Sequence, residues 1–278
     1  MLRAKTVHGE MREFVTIVAR TNKGIPNRIL RSLPRSEYEL LMPHTELVRL
    51  RVGQVVHEPG DEMGYVYFPN YGVLSMLTVL DSGEAVEIAT VGNEGMADLS
   101  VFLGLKIATS RLINQVPGDV LRLRTSSFLQ LVSQSPRLRA GLGLYMIEMF
   151  TLVSQSAACN RLHSLEERCA RWILMTHDRV DADTFPLTQE FLSTMLGVRR
   201  PSVTVAAGIL QKAGFISYSR GKMTIVDRAA LEASACECYG IITERFQDLP
   251  GGGATPENGE RLLSSGLEPS EPSPGSRT

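Results

Sequence analysis

The segment from residue 187 to residue 227 constrains the fold most, because it combines two short amphipathic helices, a glycine turn and a basic hairpin. Thr188 is a candidate N-cap, and Gly197 follows the apolar positions of the first helix. A glycine there permits the left-handed backbone that a tight turn between crossed helices needs. Pro201 fits the first turn of a second helix, where a missing amide hydrogen costs little. The segment therefore predicts a helix-turn-helix followed by a hairpin, or wing.

The basic residues of this segment predict a surface that attracts a polyanion. Between Gly197 and Lys222 there are five basic residues and no acidic one, although the whole chain has a formal net charge of -1. Arginine can donate two hydrogen bonds to guanine, and short hydroxyls reach phosphates or bases. The residues predicted to contact DNA are Arg199, Arg200, Ser202, Thr204, Arg220, Lys222, Thr188 and Gln189.

Other interpretations of the segment are a helical subdomain with a solvated basic face, or a winged helix that binds a protein rather than DNA. The combination of glycine turn, basic helix start and basic hairpin favours DNA. An enzyme is not expected and no catalytic residue is predicted, because the sequence has no P-loop, nucleophile elbow, zinc-protease motif or dinucleotide fingerprint. The acidic residues Glu84 and Glu87 are expected to face solvent.

Residues 46–123 have a different pattern, in which short β-branched and aromatic runs alternate with turn signals. Asp81-Ser82-Gly83 separates two such runs and indicates a hairpin. Many short strands at this spacing predict a small barrel or roll.

The pattern becomes helical from residue 137 to residue 160, where apolar side chains repeat at alternating spacings of four and three. This seam is predicted to be a dimer interface formed by Leu138, Leu142, Tyr145, Met149 and Leu152. A second apolar set, which includes Leu144, Ile147 and Phe150, lies on another face. Such a helix can pack on its own domain and on a partner at once. The alternative is a core helix of one subunit.

With these parts in this order, residues 27–235 resemble the CRP/FNR family of transcription regulators. The resemblance is most specific at residues 187–226, and it extends to the run HEPGDEMGYVYFPNYGVLSML at residues 57–77. It implies an α+β fold with an N-terminal β-roll (a cyclic-nucleotide-binding-like jelly roll), a long dimerisation helix and a C-terminal winged helix-turn-helix.

The predicted division of the chain combines this resemblance with composition. The segments are an N-terminal arm at 1–24, a cyclic-nucleotide-binding-like effector domain at 25–135, a dimerisation helix at 136–160, a winged helix-turn-helix at 161–240 and a disordered tail at 250–278. The tail is rich in Pro, Gly, Ser and Glu and cannot bury enough apolar surface to order itself.

The resemblance also indicates where an effector would bind. Nucleotide-binding members carry a Gly-Glu-Leu turn and, later, an arginine before Ser or Thr that neutralises the cyclic phosphate. Here Ala97-Asp98-Leu99 replaces the turn, Ala108 stands at the arginine position, and Arg111 is displaced. A buried phosphate would lack its charge partner, so cyclic-AMP binding is not expected. The candidate effector pocket is Asp98, Leu99, Thr109, Ser110 and Arg111, and the effector is unidentified.

No cofactor is predicted. Iron–sulfur members of the family use N-terminal cysteines, whereas all four cysteines here lie at or after Cys159, so an iron–sulfur cluster is not expected. Cys236 and Cys238 have no second pair nearby, so no metal is predicted. His57 and His163 are expected to be structural or solvated.

The expected location is the cytoplasm. Four cysteines fit a reducing compartment, and the sequence shows neither a secretory signal nor an apolar run of about 18 residues or more, so no membrane span is expected. The predicted partners are double-stranded DNA and a second copy of the chain, with RNA polymerase added if the protein activates transcription.

Overall fold

The computed structural model describes residues 25–180 and 182–251. The predicted arm at residues 1–24 and all but the first two residues of the predicted tail at 250–278 lie outside the described residues. Within them the chain forms a β-roll, a long helix and a winged helix-turn-helix, in that order. The predicted fold class, α+β with these three parts, is confirmed.

Two short helices, α1 (Arg28–Arg31) and α2 (Arg35–Leu41), precede the roll. The roll has seven strands: β1 (Thr45–Leu50), β2 (Val55–His57), β3 (Tyr65–Pro69), β4 (Val73–Val79), β5 (Ala85–Val91), β6 (Arg111–Val116) and β7 (Gly118–Arg124). They pair antiparallel in two sheets, with strand orders β1-β7-β3 and β2-β6-β4-β5. Both sheets contribute buried side chains to one apolar core.

The predicted hairpin connects β4 and β5. Gly83 has a φ of 84°, and the Leu80 amide donates to the Glu84 carbonyl at 2.8 Å. Glycine is favoured at such a φ because it has no Cβ to clash with the backbone. The hairpin prediction is therefore confirmed.

Helices α3 (Thr125–Gln134) and α4 (Pro136–Leu162) follow the roll. The seam that the sequence assigned to a dimer interface faces the core of its own chain: Leu138, Leu142, Tyr145, Met149 and Leu152 are 0–7% exposed. A Cβ placed on Gly95 of the roll would lie 1.9 Å from the Tyr145 ring, so the helix and the roll are in close contact. The assignment of these five side chains to a dimer interface is corrected, because an apolar seam packs on whichever apolar surface lies nearest.

The opposite face of α4 is exposed and apolar. Ile147 and Phe150 are 57% and 74% exposed. By length and composition alone, α4 could also cross a membrane, with a mean hydropathy of 1.2 over 18 residues. Of that window, 28% is buried, and the seam residues of α4 pack in the core of the roll.

The C-terminal unit has its own apolar core. Its elements are α5 (Leu165–His177), β8 (Thr184–Pro186), α6 (Gln189–Leu196), α7 (Arg200–Lys212), β9 (Ile216–Ser219), β10 (Lys222–Ile225) and α8 (Arg228–Ser234). The three strands form an antiparallel sheet in the order β8-β10-β9. Ser164 and Glu167 make a reciprocal capping box that fixes the start of α5.

A last helix, α9 (Cys238–Gln247), leaves the winged helix and returns to the roll. Its residues Ile242 and Phe246, with Leu249 beyond its end, join the core of the roll, and the rings of Phe246 and Tyr145 lie 6.1 Å apart. This helix was not predicted: the predicted winged helix-turn-helix ends at residue 240, and no element was predicted for residues 241–249. A helix of ten residues has too few apolar positions for its periodicity to be recognised in the sequence alone.

A buried ion pair joins the roll to the end of α5. Glu94 is 4% exposed, and its Oε1 accepts from the Arg179 Nε at 2.9 Å and lies 2.8 Å from the second Arg179 nitrogen. The Gly92 amide donates to the same carboxylate at 3.0 Å. Burial alone would raise the pKa of Glu94, but Arg179 and the hydrogen bonds lower it below its usual value. The pair is therefore charged at neutral pH.

Arg179→Ala is expected to destabilise the protein by about 3–5 kcal/mol, because it leaves the Glu94 carboxylate buried without its partner. The matched control is Arg35→Ala, which breaks the exposed pair with Glu39 and should leave the free energy of unfolding almost unchanged, because water screens such a pair. Urea-induced unfolding at pH 7 measures both. Equal effects of the two substitutions would contradict this role for Arg179.

Candidate nucleic-acid interface

The turn between α6 and α7 has the predicted local geometry. The Thr188 Oγ1 accepts from the Phe191 amide at 3.1 Å and caps α6. Gly197 has a φ of 63°, which favours glycine. Leu196 and Val203, from either side of the turn, are buried in the core of the unit. This packing fixes the angle between the helices and leaves the start of α7 outside the core.

The start of α7 presents a polar surface to solvent. Arg199, Arg200, Ser202 and Thr204 are exposed. Thr204 donates to the Gln189 Oε1 at 3.0 Å, which ties the second helix to the first. Because the buried stripe of α7 lies on its other side, these side chains are accessible to a ligand.

The wing turns through Arg220 and Gly221, whose φ values of 50° and 73° are those of a tight two-residue hairpin. The Leu187 amide donates to the Gly221 carbonyl at 2.9 Å, and the Tyr218 hydroxyl donates to the Leu187 carbonyl at 3.2 Å. These bonds hold the wing against the start of α6. Arg220 and Lys222 are exposed at its tip.

The helices and the wing together enclose one surface groove. Of the predicted DNA contacts, Thr188, Gln189, Arg200 and Arg220 line it; Tyr218, Ser219 and Gly221 complete it. Arg199, Ser202, Thr204 and Lys222 are not among its lining residues. Tyr218 and Ser219 were not predicted from the sequence, because only the folded hairpin brings them beside the start of α6.

The charge of this surface is unpaired. Its cations are Arg199, Arg200, Arg220 and Lys222. In the described part of the chain, none of them forms an ion pair with a carboxylate. Unpaired cations on one exposed surface attract anions without first losing an internal partner.

The residues of the candidate effector pocket do not all point to one place. Asp98 is buried, has a φ of 64°, and its Oδ1 lies 2.6 Å from the His57 Nε2. Arg111 is half-buried, and its Nε donates to the Glu58 carboxylate at 2.8 Å. Thr109 is exposed, Ser110 is buried, and Leu99 is half-buried.

His57 and Asp98 form a buried pair inside the roll, with side chains that are 8% and 4% exposed. Burial raises the pKa of Asp98. Burial also acts to lower the pKa of His57, but the hydrogen bond with Asp98 acts to raise it, and the net change is upward. His57 was expected to be structural or solvated, and its pairing with Asp98, 41 positions away, was not predicted. No local signal links the two.

Four possible metal ligands meet beside the winged helix. The ligand atoms of Cys159, His163, Cys236 and Cys238 all lie within 4.8 Å of one another. The hydrogen bond with Cys236 is the main cause that lowers the pKa of the Cys159 thiol to about 5. This cluster was not predicted from the sequence, because its two halves lie more than 70 positions apart along the chain.

The winged helix is held against β5 by a second carboxylate. Trp172 of α5 donates through Nε1 to the Glu87 Oε1 at 2.8 Å. The other oxygen, Oε2, is buried and has no hydrogen-bond partner among the described residues. The expectation that Glu87 faces solvent is wrong, since α5 covers it. Burial raises its pKa to about 7.

Comparisons with known proteins agree with this architecture. Residues 167–234 match the Crp-like helix-turn-helix domain. No curated protein has a matching sequence. FixK2 from Bradyrhizobium japonicum has a similar structure, with a TM-score of 0.58 at 14% identity over 69% of this chain and 98% of that one.

Two further solved structures share the fold. The c-di-GMP responsive global regulator CLP from Xanthomonas campestris has a TM-score of 0.55 at 15% identity, over 69% of this chain and 99% of that one. A CRP-family transcriptional regulator from Thermus thermophilus has a TM-score of 0.55 at 18% identity, over 68% and 96%. Residues 167–234 are thus similar to the Crp-like helix-turn-helix domain, and the chain shares its fold with solved regulators of the CRP/FNR family. The resemblance to the CRP/FNR family is confirmed for this domain and for the overall fold.

Glu87→Gln is expected to flatten the pH dependence of stability. A carboxyl whose pKa rises from 4.5 to about 7 on folding contributes stability that is complete below pH 4.5 and is lost as the pH rises through 7. The variant keeps an acceptor for Trp172 but cannot ionise. Between pH 5 and pH 8 its free energy of unfolding should therefore rise relative to that of the natural protein. The rise corresponds to about 1.4 kcal/mol for each unit by which folding shifts the pKa of Glu87.

The measurement is urea-induced unfolding at several pH values in this range. Glu84→Gln is the matched control, because Glu84 is exposed on the same hairpin. Parallel pH profiles for the natural protein and Glu87→Gln would contradict the raised pKa.

Proposed function

We propose that the protein is a transcription regulator of the cytoplasm that binds double-stranded DNA as a homodimer. The observation that carries the proposal is the exposed start of α7 beside the wing, where four cations have no ion-pair partner among the described residues. The match of residues 167–234 to a Crp-like helix-turn-helix domain supports it. The role requires no catalytic residue.

In this proposal, α7 contacts the bases and the wing contacts the phosphates. In helix-turn-helix proteins, the N-terminal residues of the second helix contact base edges in the major groove. Arg199 and Arg200 stand at this position, and one arginine can bind guanine O6 and N7 together. Arg220 and Lys222 at the wing tip are placed to contact phosphates. Base contacts supply sequence preference, whereas phosphate contacts supply affinity.

The proposed dimer uses the exposed face of α4 instead of its buried seam. Ile147 and Phe150 are large, apolar and three positions apart, so they lie on one face of the helix. Exposed apolar side chains on a long helix are stabilised by packing against a second copy. A two-fold dimer places its recognition helices about 34 Å apart, in successive major grooves, so the operator should be a near-palindrome.

The effector of this proposed regulator is unidentified, and we do not expect cyclic AMP. Ala108 stands where nucleotide-binding relatives have their arginine, and Arg111 is paired with Glu58. A cyclic phosphate in the roll would have to break that pair. If the protein activates transcription, RNA polymerase is a further partner.

A second candidate is a winged helix that binds a protein. Val205 and Ile209 on α7 are 61% and 47% exposed, which is an apolar surface that DNA does not need. The dependence of binding on salt separates the two functions, because DNA binding releases counterions and weakens steeply as salt rises.

For the DNA proposal, we expect Ala at Arg199 or Arg200 to weaken operator binding in one of two ways. At a base contact, the loss is about 1–3 kcal/mol per half-site, with relaxed preference at one base pair. At a phosphate contact, all sequences weaken alike and the slope of log K against log salt falls by about 1. Arg220→Ala and Lys222→Ala should behave like the phosphate case.

Salt-titrated binding to a selected operator and to scrambled duplex measures these effects. Arg139→Ala is the control, because Arg139 is exposed at the start of α4, outside the interface. If the double variant Arg199→Ala/Arg200→Ala kept natural affinity and salt slope, α7 would not be the DNA-reading helix.

For the dimer, Ile147→Glu and Phe150→Glu are each expected to give folded monomers, because dimerisation would bury an unpaired charge. Val226→Glu is the control, since Val226 is 62% exposed and lies beyond the wing. Sedimentation velocity reports the mass, and circular dichroism checks the fold. An unchanged dimer in both α4 variants would show that this face is not the interface.

A further inference from the structure

The strongest unassigned feature is the group of four side chains Cys159, His163, Cys236 and Cys238. The sulfur atoms of Cys159 and Cys236 lie 3.5 Å apart, and the Cys238 sulfur lies 3.5 Å from the His163 Nδ1. The three cysteines are at most 4% exposed and form a small core of their own. The four come from two segments more than 70 positions apart, so the fold and not the chain brings them together.

These distances fit a single tetrahedral metal ion. Zinc binds sulfur at about 2.3 Å and nitrogen at about 2.0 Å, so ligand atoms around it stand about 3.8 Å apart for two sulfurs and about 3.5 Å apart for sulfur and nitrogen. The widest pair here is within 4.8 Å, so small side-chain rotations close the set around one ion. An iron–sulfur cluster spreads its cysteines over several irons and needs wider spacing.

The donor types select the same class of ion. Three thiolates and one imidazole form one of the common structural zinc sets, and soft sulfur ligands exclude magnesium and calcium. Four protein ligands leave no open position for water or substrate, which is characteristic of a structural rather than a catalytic site.

The surroundings of the four ligands are also those of a metal site. The Glu237 carboxylate lies 3.1 Å from the His163 Nε2, on the ring edge away from Cys238. A carboxylate on the far nitrogen fixes the tautomer that leaves Nδ1 free to bind a metal. Gln155 donates to the Cys238 sulfur at 3.2 Å, which favours a thiolate there.

A buried cation nearby has no other counterion. Arg168 is 9% exposed, lies in electrostatic range of Cys159 and Cys236, and has no carboxylate partner within the described ranges. Three thiolates around a divalent ion carry a net charge of −1. Such a site supplies the negative charge that a buried guanidinium requires.

The position of the cluster gives it a consequence for the fold. Cys159 lies in the last turn of α4, and His163 is the residue directly before the Ser164 cap of α5. Cys236 and Cys238 lie where the chain leaves the winged helix and begins α9. One ion would join the end of α4, the residue that connects α4 to α5, and the start of α9.

We propose that Cys159, His163, Cys236 and Cys238 bind one zinc-class divalent cation in a closed structural site, which fastens the winged helix to the end of α4. The spacing of Cys236 and Cys238 alone predicted no metal, whereas the folded chain brings two further possible ligands beside them. It does not depend on DNA binding.

The test measures metal binding to the full-length, reduced protein. Elemental analysis after growth with zinc and gel filtration should give about one zinc per chain, as expected for one four-ligand site. Replacement by Co²⁺ should give the intense visible bands of tetrahedral cobalt and a near-ultraviolet sulfur-to-metal band. Cys159→Ala and Cys238→Ala should each lose most of the metal and both spectral features.

Cys169→Ala is the matched control, because Cys169 is fully buried in the separate core of the winged helix. It should keep the full metal content. Glu237→Gln should keep the stoichiometry but weaken zinc affinity by about 10- to 100-fold, since it alters only the support of His163. Zinc should raise the melting temperature of the natural protein and leave that of Cys159→Ala unchanged.

Three results would overturn the proposal. One is a reduced natural protein that binds zinc no more tightly than Cys159→Ala. Another is cobalt bound without a thiolate band, which would mean a site elsewhere. The third is a Cys159–Cys236 disulfide in freshly isolated protein that takes up no metal after reduction. Because the cobalt spectrum is recorded on the natural chain, misfolding of a variant cannot decide the outcome.

Discussion

The buried ion pair of Glu94 and Arg179 is the contact on which the relative placement of the two units most depends. It joins the end of β5 to the end of α5 with both charged groups almost fully removed from water. Charges cannot be buried this way unless their geometry is held from both sides. Trp172 and Glu87 make a second polar contact across the same boundary. The two contacts fix the orientation in which the winged helix presents α7.

Helix α4 serves two surfaces with one sequence. Its seam fills the core of the roll, and Ile147 and Phe150 on the opposite side remain exposed. Because one face packs in the roll, a change in the packing of the roll would shift the exposed apolar face as well. The regular heptad pattern alone did not show what covers the seam, because periodicity indicates that a face is buried but not by what.

Much of the winged helix-turn-helix was predictable from the sequence, because its capping and turn signals are local. The Thr188 cap, the Gly197 turn and the wing tip at Arg220 each depend on residues within a few positions of one another. The order of roll, long helix and winged helix followed from changes in apolar period. The structure confirmed this architecture.

The remaining features depend on distant residues and could not be predicted. Glu87 reads as an exposed acid on a hairpin until α5 covers it, 85 positions later. His57 and Asp98 are 41 positions apart, and Cys159 and Cys236 are 77 apart. No periodicity joins such pairs, because their proximity is a product of the complete fold. With one sequence and no local motif, chemistry of this kind becomes visible only in three dimensions.

The central claim is that this winged helix reads DNA as a two-fold dimer, and selection from random duplexes tests it most directly. The full-length protein is incubated with a pool of random duplex DNA, and the bound fraction is amplified and sequenced over several rounds. The account predicts enrichment of a near-palindrome whose half-site centres are about 34 Å, one helical turn, apart. A pool that stays random, or a selected site without two-fold symmetry, would contradict it.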